Sequence, residues 1–175
     1  MKIKTTLVAI AAALLSQGVA NAQNAGDLND LQIAHVAYTA DNIDIRYAHL
    51  ALAISENPAI HEFANTMIRD HTAVNEQALA LLAKLKAQPQ DNFLSKDLTK
   101  NSKKLVNDMS KMRGKEFDLY YAKNELAYHK AVNNLMRTAF IPNIENGEVK
   151  ELFEAGLEIF LVHEGHAEMM VRQLD

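Results

Sequence analysis

Five side chains able to hold a transition metal stand as isolated polar positions in otherwise apolar helical stripes: Asp44, His71, Glu125, His129 and His163. An imidazole or carboxylate moved out of water without a partner costs about 2 to 7 kcal/mol when merely polar, and more when charged. Several such groups meeting at one interior point therefore satisfy one another or a cation. Glu125 and His129 lie one helical turn apart and reach a common point. Mixed imidazole and carboxylate donors suit zinc, iron or manganese, and imidazole also accepts copper; the donor set alone does not choose among them. The plainer reading of each is a core histidine bonded to a backbone carbonyl or a neighbouring acid.

The elements that must position these groups are set by punctuation and period. Asn57-Pro58, Gln88-Pro89-Gln90-Asp91-Asn92 and the stretch from Ile141-Pro142-Asn143 to Asn146-Gly147 mark breaks. They leave four long helical segments, expected over 27–56, 58–87, 115–140 and 148–174. A shorter helix over 97–112, broken near Gly114, falls in the longer second connection. With glycine and proline sparse, and alanine, leucine, glutamate, lysine and methionine abundant, the composition favours helix, and no hairpin signal appears.

Apolar residues recur at three and four in each long segment. In the first, Ile33, Val36, Ala40, Ile43, Tyr47, Leu50, Ala51 and Ile54 share a face on which Asp44 is the only charge. In the second, Ile60, Ala64, Met67, Val74, Ala78, Leu81 and Leu85 share one with His71. The third carries Asp118, Ala122, Glu125, His129, Val132, Met136 and Ala139, and the fourth Val149, Phe153, Gly156, Phe160, His163, Ala167, Met170 and Leu174. Asp44 and His71 lie almost equally far from the Asn57-Pro58 turn, and Glu125 and His163 equally far from the loop over 141–147. Residues so placed in antiparallel neighbours sit at one depth, so the expectation is an antiparallel four-helix bundle with a polar centre. Asp118 is about 16 Å along the axis from His129 at 1.5 Å per residue, too far for the same ion. It reads as a first-turn acid complementing the helix dipole.

Asp70 points away from His71 and is expected to orient another imidazole or to form a surface pair. His166 follows His163 at the edge of its stripe. His35, His49 and His61 read as surface or boundary residues. Tyr47, Tyr120, Tyr121 and Tyr128 read as core aromatics whose hydroxyls find a polar group, and the methionines as gap-fillers.

The first 22 residues read as an export signal. Lys2 and Lys4 precede the apolar run Leu7 to Leu15, and Ala20-Asn21-Ala22 gives the small-x-small cleavage pattern. Residues 23–175 are then one domain. The run is too short to span a bilayer, which needs about 20 apolar residues, and no later segment is continuously apolar at that length. There is no cysteine, which removes disulfides, thiolate ligands and a lipoprotein anchor. The expected location is the periplasm of a Gram-negative bacterium, with secretion to the medium or outer-membrane association as alternatives. The net charge of −4 and the interleaving of the basic residues with acids argue against nucleic acid as a partner. The cluster Lys100, Lys103, Lys104, Lys111 and Arg113 is broken by Asp108 and reads as a solvated face.

No phosphate-binding glycine loop, His-Glu-x-x-His zinc motif or dinucleotide fingerprint occurs. The paired Glu-x-x-His pattern of di-iron bundles is also missing, which argues against ferroxidase chemistry.

Three stretches carry a family likeness: Phe63-Ala64-Asn65-Thr66-Met67-Ile68-Arg69-Asp70-His71-Thr72; then Gly114-Lys115-Glu116-Phe117-Asp118-Leu119-Tyr120-Tyr121 with His129 downstream; and His163 with Ala167. Over essentially the whole chain beyond the leader, the sequence resembles a family of exported, ferritin-like bacterial proteins classed as a domain of unknown function and often labelled predicted outer membrane protein. Ile159 stands where that family usually has proline, and Asp44 where it commonly has glutamate. The resemblance implies a ferritin-like bundle in the envelope and assigns no activity. Two functions are expected to compete: binding of a transition metal for metal handling or envelope stress defence, and a non-catalytic structural or interaction module whose polar cluster fixes helix register. A redox enzyme at the same site is a third.

Overall fold

The computed structural model describes residues 24–175, all of whose regular structure is helical. The expected leader, 1–22, lies outside the described residues. After a 3-10 turn at Ala25–Asp27 come α1 (Asp30–Ile54), α2 (Pro58–Lys84), α3 (Phe93–Met109), α4 (Gly114–Leu135), a π-helical turn (Met136–Phe140) and α5 (Gly147–Leu174). Asparagine begins four of the five helices: Asn29, Asn57, Asn92 and Asn146 each accept a hydrogen bond from a backbone N–H of the first turn. Such a cap satisfies a donor that the helix itself leaves without a partner. Asn29 with Gln32 and Asn92 with Ser95 extend this to reciprocal capping boxes. Gly114 turns the chain from α3 into α4 with a φ of 56°, a conformation glycine adopts without steric cost.

The bundle is made of two hairpins, α1–α2 and α4–α5, docked so that α1 meets α4 and α2 meets α5. Two contacts fix its polarity. At one end Ser55, just past α1, donates to Asp118 near the start of α4 at 2.6 Å. At the other, Asp30 at the start of α1 accepts the backbone N–H groups of Glu145 and Asn146, which lead into α5, at 3.0 and 2.8 Å. The connection from α2 to α4 therefore runs the length of the bundle, and α3 carries it, packed on the outside of α1. One long crossover of this kind is the ferritin-like connectivity.

The apolar stripes form the core, with Ile33, Val36, Ile43, Ile60, Met67, Phe117 and Tyr121 almost wholly enclosed. Three expectations need correction. The extra helix begins at Phe93 rather than 97, because Asn92 caps it. The end of the third long segment is a π turn, closed by Ile141 N–H to the Met136 carbonyl at 2.9 Å, which leaves Met136 and Phe140 both facing the core. Late in α2 the buried stripe passes to Leu82, while Leu81 and Leu85 are only half-buried. Among the described residues, no helix is long and apolar enough to cross a membrane.

Candidate metal centre

Every helix of the two hairpins sends a polar group into one plane of the core. Asp44 comes from α1, His71 from α2, Glu125 and His129 from α4, and His163 from α5. None is more than 3% exposed. The level match of Asp44 with His71 is realised: His71 Nε2 stands 2.9 Å from Asp44 Oδ2, and His129 Nε2 3.4 Å from the same oxygen. The imidazoles of His71, His129 and His163 have ring centroids 5.3 to 5.9 Å apart. Phe160 stacks on His71 at 4.8 Å and Phe63 meets His129 edge-on at 6.4 Å, so the site has apolar walls.

Each imidazole is bonded at one nitrogen and bare at the other. His71 donates from Nδ1 to Asp41 Oδ1 at 2.8 Å. His129 donates from Nδ1 to the Glu125 carbonyl at 3.0 Å, and His163 from Nε2 to Asp70 Oδ2 at 3.0 Å. The opposite nitrogens, His71 Nε2, His129 Nε2 and His163 Nδ1, are buried without a hydrogen-bond partner, as are both Asp44 oxygens and Glu125 Oε2. The close approach of His71 Nε2 to Asp44 Oδ2 thus lacks the alignment of a hydrogen bond. A carboxylate or carbonyl on one imidazole nitrogen, fixing the tautomer and aiming the other, is the usual support of a metal-ligating histidine. The donor atoms of His71, His129 and His163 lie within 4.8 Å of one another, and so do those of Asp44, Glu125 and His129, so both groups could hold a metal ion.

Electrostatics follow from burial and proximity. Burial alone would raise Asp44, but the imidazoles of His71 and His129 hold it down to about 2. Burial alone would lower His71, yet Asp44 and Asp41 push it up to about 10. Glu125 is raised well above the usual carboxyl range by burial and by the adjacent Asp44. Burial lowers His129, and holds His163 down to about 4. Without a cation the surroundings therefore favour the proton at His71, between two aspartates, and at Glu125, and disfavour it at His129 and His163.

The structure brings all five expected residues together. Asp70 does what the spacing allowed, receiving His163 while pairing with Arg69 at 2.7 Å. Asp118 corrects the expectation of a dipole-complementing first-turn acid: it is buried and accepts the Ser55 hydroxyl, joining α1 to α4. His166 and His49 are exposed, and His35 and His61 half-buried. Tyr128 donates to the Ala40 carbonyl at 3.0 Å as expected of a core tyrosine, whereas the Tyr121 hydroxyl is buried without a partner, one turn before Glu125. Sequence reasoning missed Asp41, whose signal was its position three residues before Asp44, on the flank of the same stripe. It also missed Asn133, one turn after His129, which donates to the Phe160 carbonyl and to Glu164, at 3.1 and 2.8 Å, across the α4–α5 hairpin.

Neither the curated proteins nor the solved structures contain a match to the chain. The family model described as Domain of unknown function (DUF4142) matches residues 15–170, which takes in the Asp-His of α2, the acid and histidine of α4 and the histidine of α5, and the chain belongs to that family.

Proposed function

We propose that this is an exported, periplasmic helical-bundle protein that binds a transition-metal ion in its core through His71, His129 and His163 with Asp44 and Glu125, and that it serves metal handling or envelope stress defence. One observation carries the metal reading. Bare nitrogen and oxygen atoms of these residues face one another in the interior, while the outward nitrogen of every imidazole is already bonded. A buried polar atom without a partner costs about 1 to 3 kcal/mol, and an ion would satisfy several of them at once. Export is supported by the charged start, apolar run and Ala20-Asn21-Ala22 site of the leader.

The test is metal analysis of untagged protein released from the periplasm by osmotic shock. Wild type is expected to carry close to stoichiometric metal, and the double variant His71→Ala with His129→Ala to carry almost none. Equal, near-zero metal in both ends the proposal, and recovery of the protein only from the cytoplasm ends its periplasmic part.

A second reading is favoured by the placement of His71 between Asp41 and Asp44, at 2.8 and 2.9 Å, which by itself links α1 to α2 at a fixed register. On that reading the cluster is a structural lock of a non-catalytic envelope module. Chelation then leaves thermal stability unchanged, whereas loss of a bound ion lowers it.

A further inference from the structure

The five donors do not surround one point evenly. They resolve into an all-nitrogen triad, His71, His129 and His163, and an oxygen-rich triad, Asp44, Glu125 and His129, each closed within 4.8 Å; His129 belongs to both, and Asp44 Oδ2, 2.9 Å from His71 Nε2, stands where they meet. Donor-to-ion bonds of about 2.0 to 2.2 Å set donors on opposite sides of one ion at roughly 4 Å, so each triad matches the span of a single ion. The His129 Nδ1–H is committed to the Glu125 carbonyl at 3.0 Å, which leaves Nε2 as the one lone pair that His129 can offer. A lone pair serves one ion at a time. The oxygen-rich side is a built site and not merely two acids: both Asp44 oxygens, Glu125 Oε2 and the Tyr121 hydroxyl are buried there without partners. Tyr121, Glu125 and His129 follow one another at one-turn intervals along α4, so they line one wall.

We infer that the core contains two mutually exclusive cation positions, an all-imidazole one at His71, His129 and His163 that takes zinc or copper, and a carboxylate-rich one at Asp44, Glu125 and His129 that takes manganese(II). The division follows ligand chemistry, since imidazole nitrogen suits zinc and copper and carboxylate oxygen suits manganese. It rests on the metal-binding reading above and adds to it a choice of metal made by position within one cluster.

Equilibrium dialysis of the full chain against zinc(II) alone and manganese(II) alone tests it, with Glu125→Gln and His163→Gln beside wild type. Glu125→Gln is expected to weaken manganese at least about tenfold while zinc changes less than about threefold, and His163→Gln to do the reverse. If His163→Gln fails to fold, Asp70→Asn at the half-buried partner of that imidazole takes its place, with the same direction expected. Zinc added to the manganese-loaded protein should release manganese, read from the rising spectrum of the free ion in electron paramagnetic resonance. Equal weakening of both metals by both substitutions overturns the inference in favour of a single shared position. Uptake of zinc without release of manganese overturns the exclusivity. Failure of wild type to take up either metal removes the underlying reading, and is thereby distinguishable from both.

Discussion

Asp41 and Asp70 belong to neither candidate ligand triad, yet each receives the outward nitrogen of an imidazole from another helix and so fixes where its other nitrogen points. Asp41→Asn and Asp70→Asn are therefore each expected to lower zinc affinity by about 10- to 100-fold while the fold survives, as competition with a chromogenic chelator would show. Asp44 differs, because it neutralises His71 directly. Asp44→Asn should destabilise the metal-free protein by about 3 to 5 kcal/mol in urea unfolding, as expected when one partner leaves a buried ion pair. The two perturbed histidines also give the metal-free protein a signed pH dependence. His163, held down to about 4, binds fewer protons in the native state than unfolded, so its contribution is complete above pH about 6.5 and is lost as pH falls toward 4. His71, raised to about 10, contributes fully below about 6.5 and progressively less as pH rises toward 10. Stability should fall on both sides of that value, and His163→Gln should flatten only the acid side of a plot of urea midpoint against pH. At this scale the ligand candidates were legible, because a single polar residue in an apolar stripe stands out. Asp41 was not, because it lies on the flank of the stripe, where one residue's rotation decides between core and solvent.

Four of the five helices start at a capping asparagine, and the breaks at Asn57-Pro58 and around Pro89 were readable from their turn residues. The π turn at Met136–Phe140 was not, since an extra residue in one turn leaves the three-and-four spacing of neighbouring apolar residues almost unchanged. The Ser55 to Asp118 bond was equally hidden, because it depends on how the hairpins dock and not on either helix alone. Gly114 offers a prediction at this scale. A Cβ there would meet nothing within 4 Å, so the cost of Gly114→Ala is that of its backbone conformation. The substitution should destabilise the fold by about 1 to 2 kcal/mol and leave metal affinity unchanged, because α4 keeps its register through Asp118.

For the whole molecule, the bundle class and the longer second connection followed from periodicity and break positions, while the crossover path of that connection and the separation of the five donors into two overlapping triads required the docked hairpins. The four long helices between them supply the donors, so an ion in the all-imidazole position would join α2, α4 and α5, and one in the carboxylate-rich position α1 and α4. Thermal unfolding of loaded protein should remain a single transition, shifted upward by about 2.7 kcal/mol of stability when free metal is 100 times the Kd. The near-complete enclosure of the donors carries a further consequence. A bound ion would enter or leave only when the helices part, so capture would belong to the moment of folding and the finished protein would exchange it slowly. Chain refolded in the presence of zinc should load within the folding time, whereas the already closed apoprotein should load over hours. The metal composition of whichever compartment the chain folds in would then persist in the protein until slow exchange replaced it.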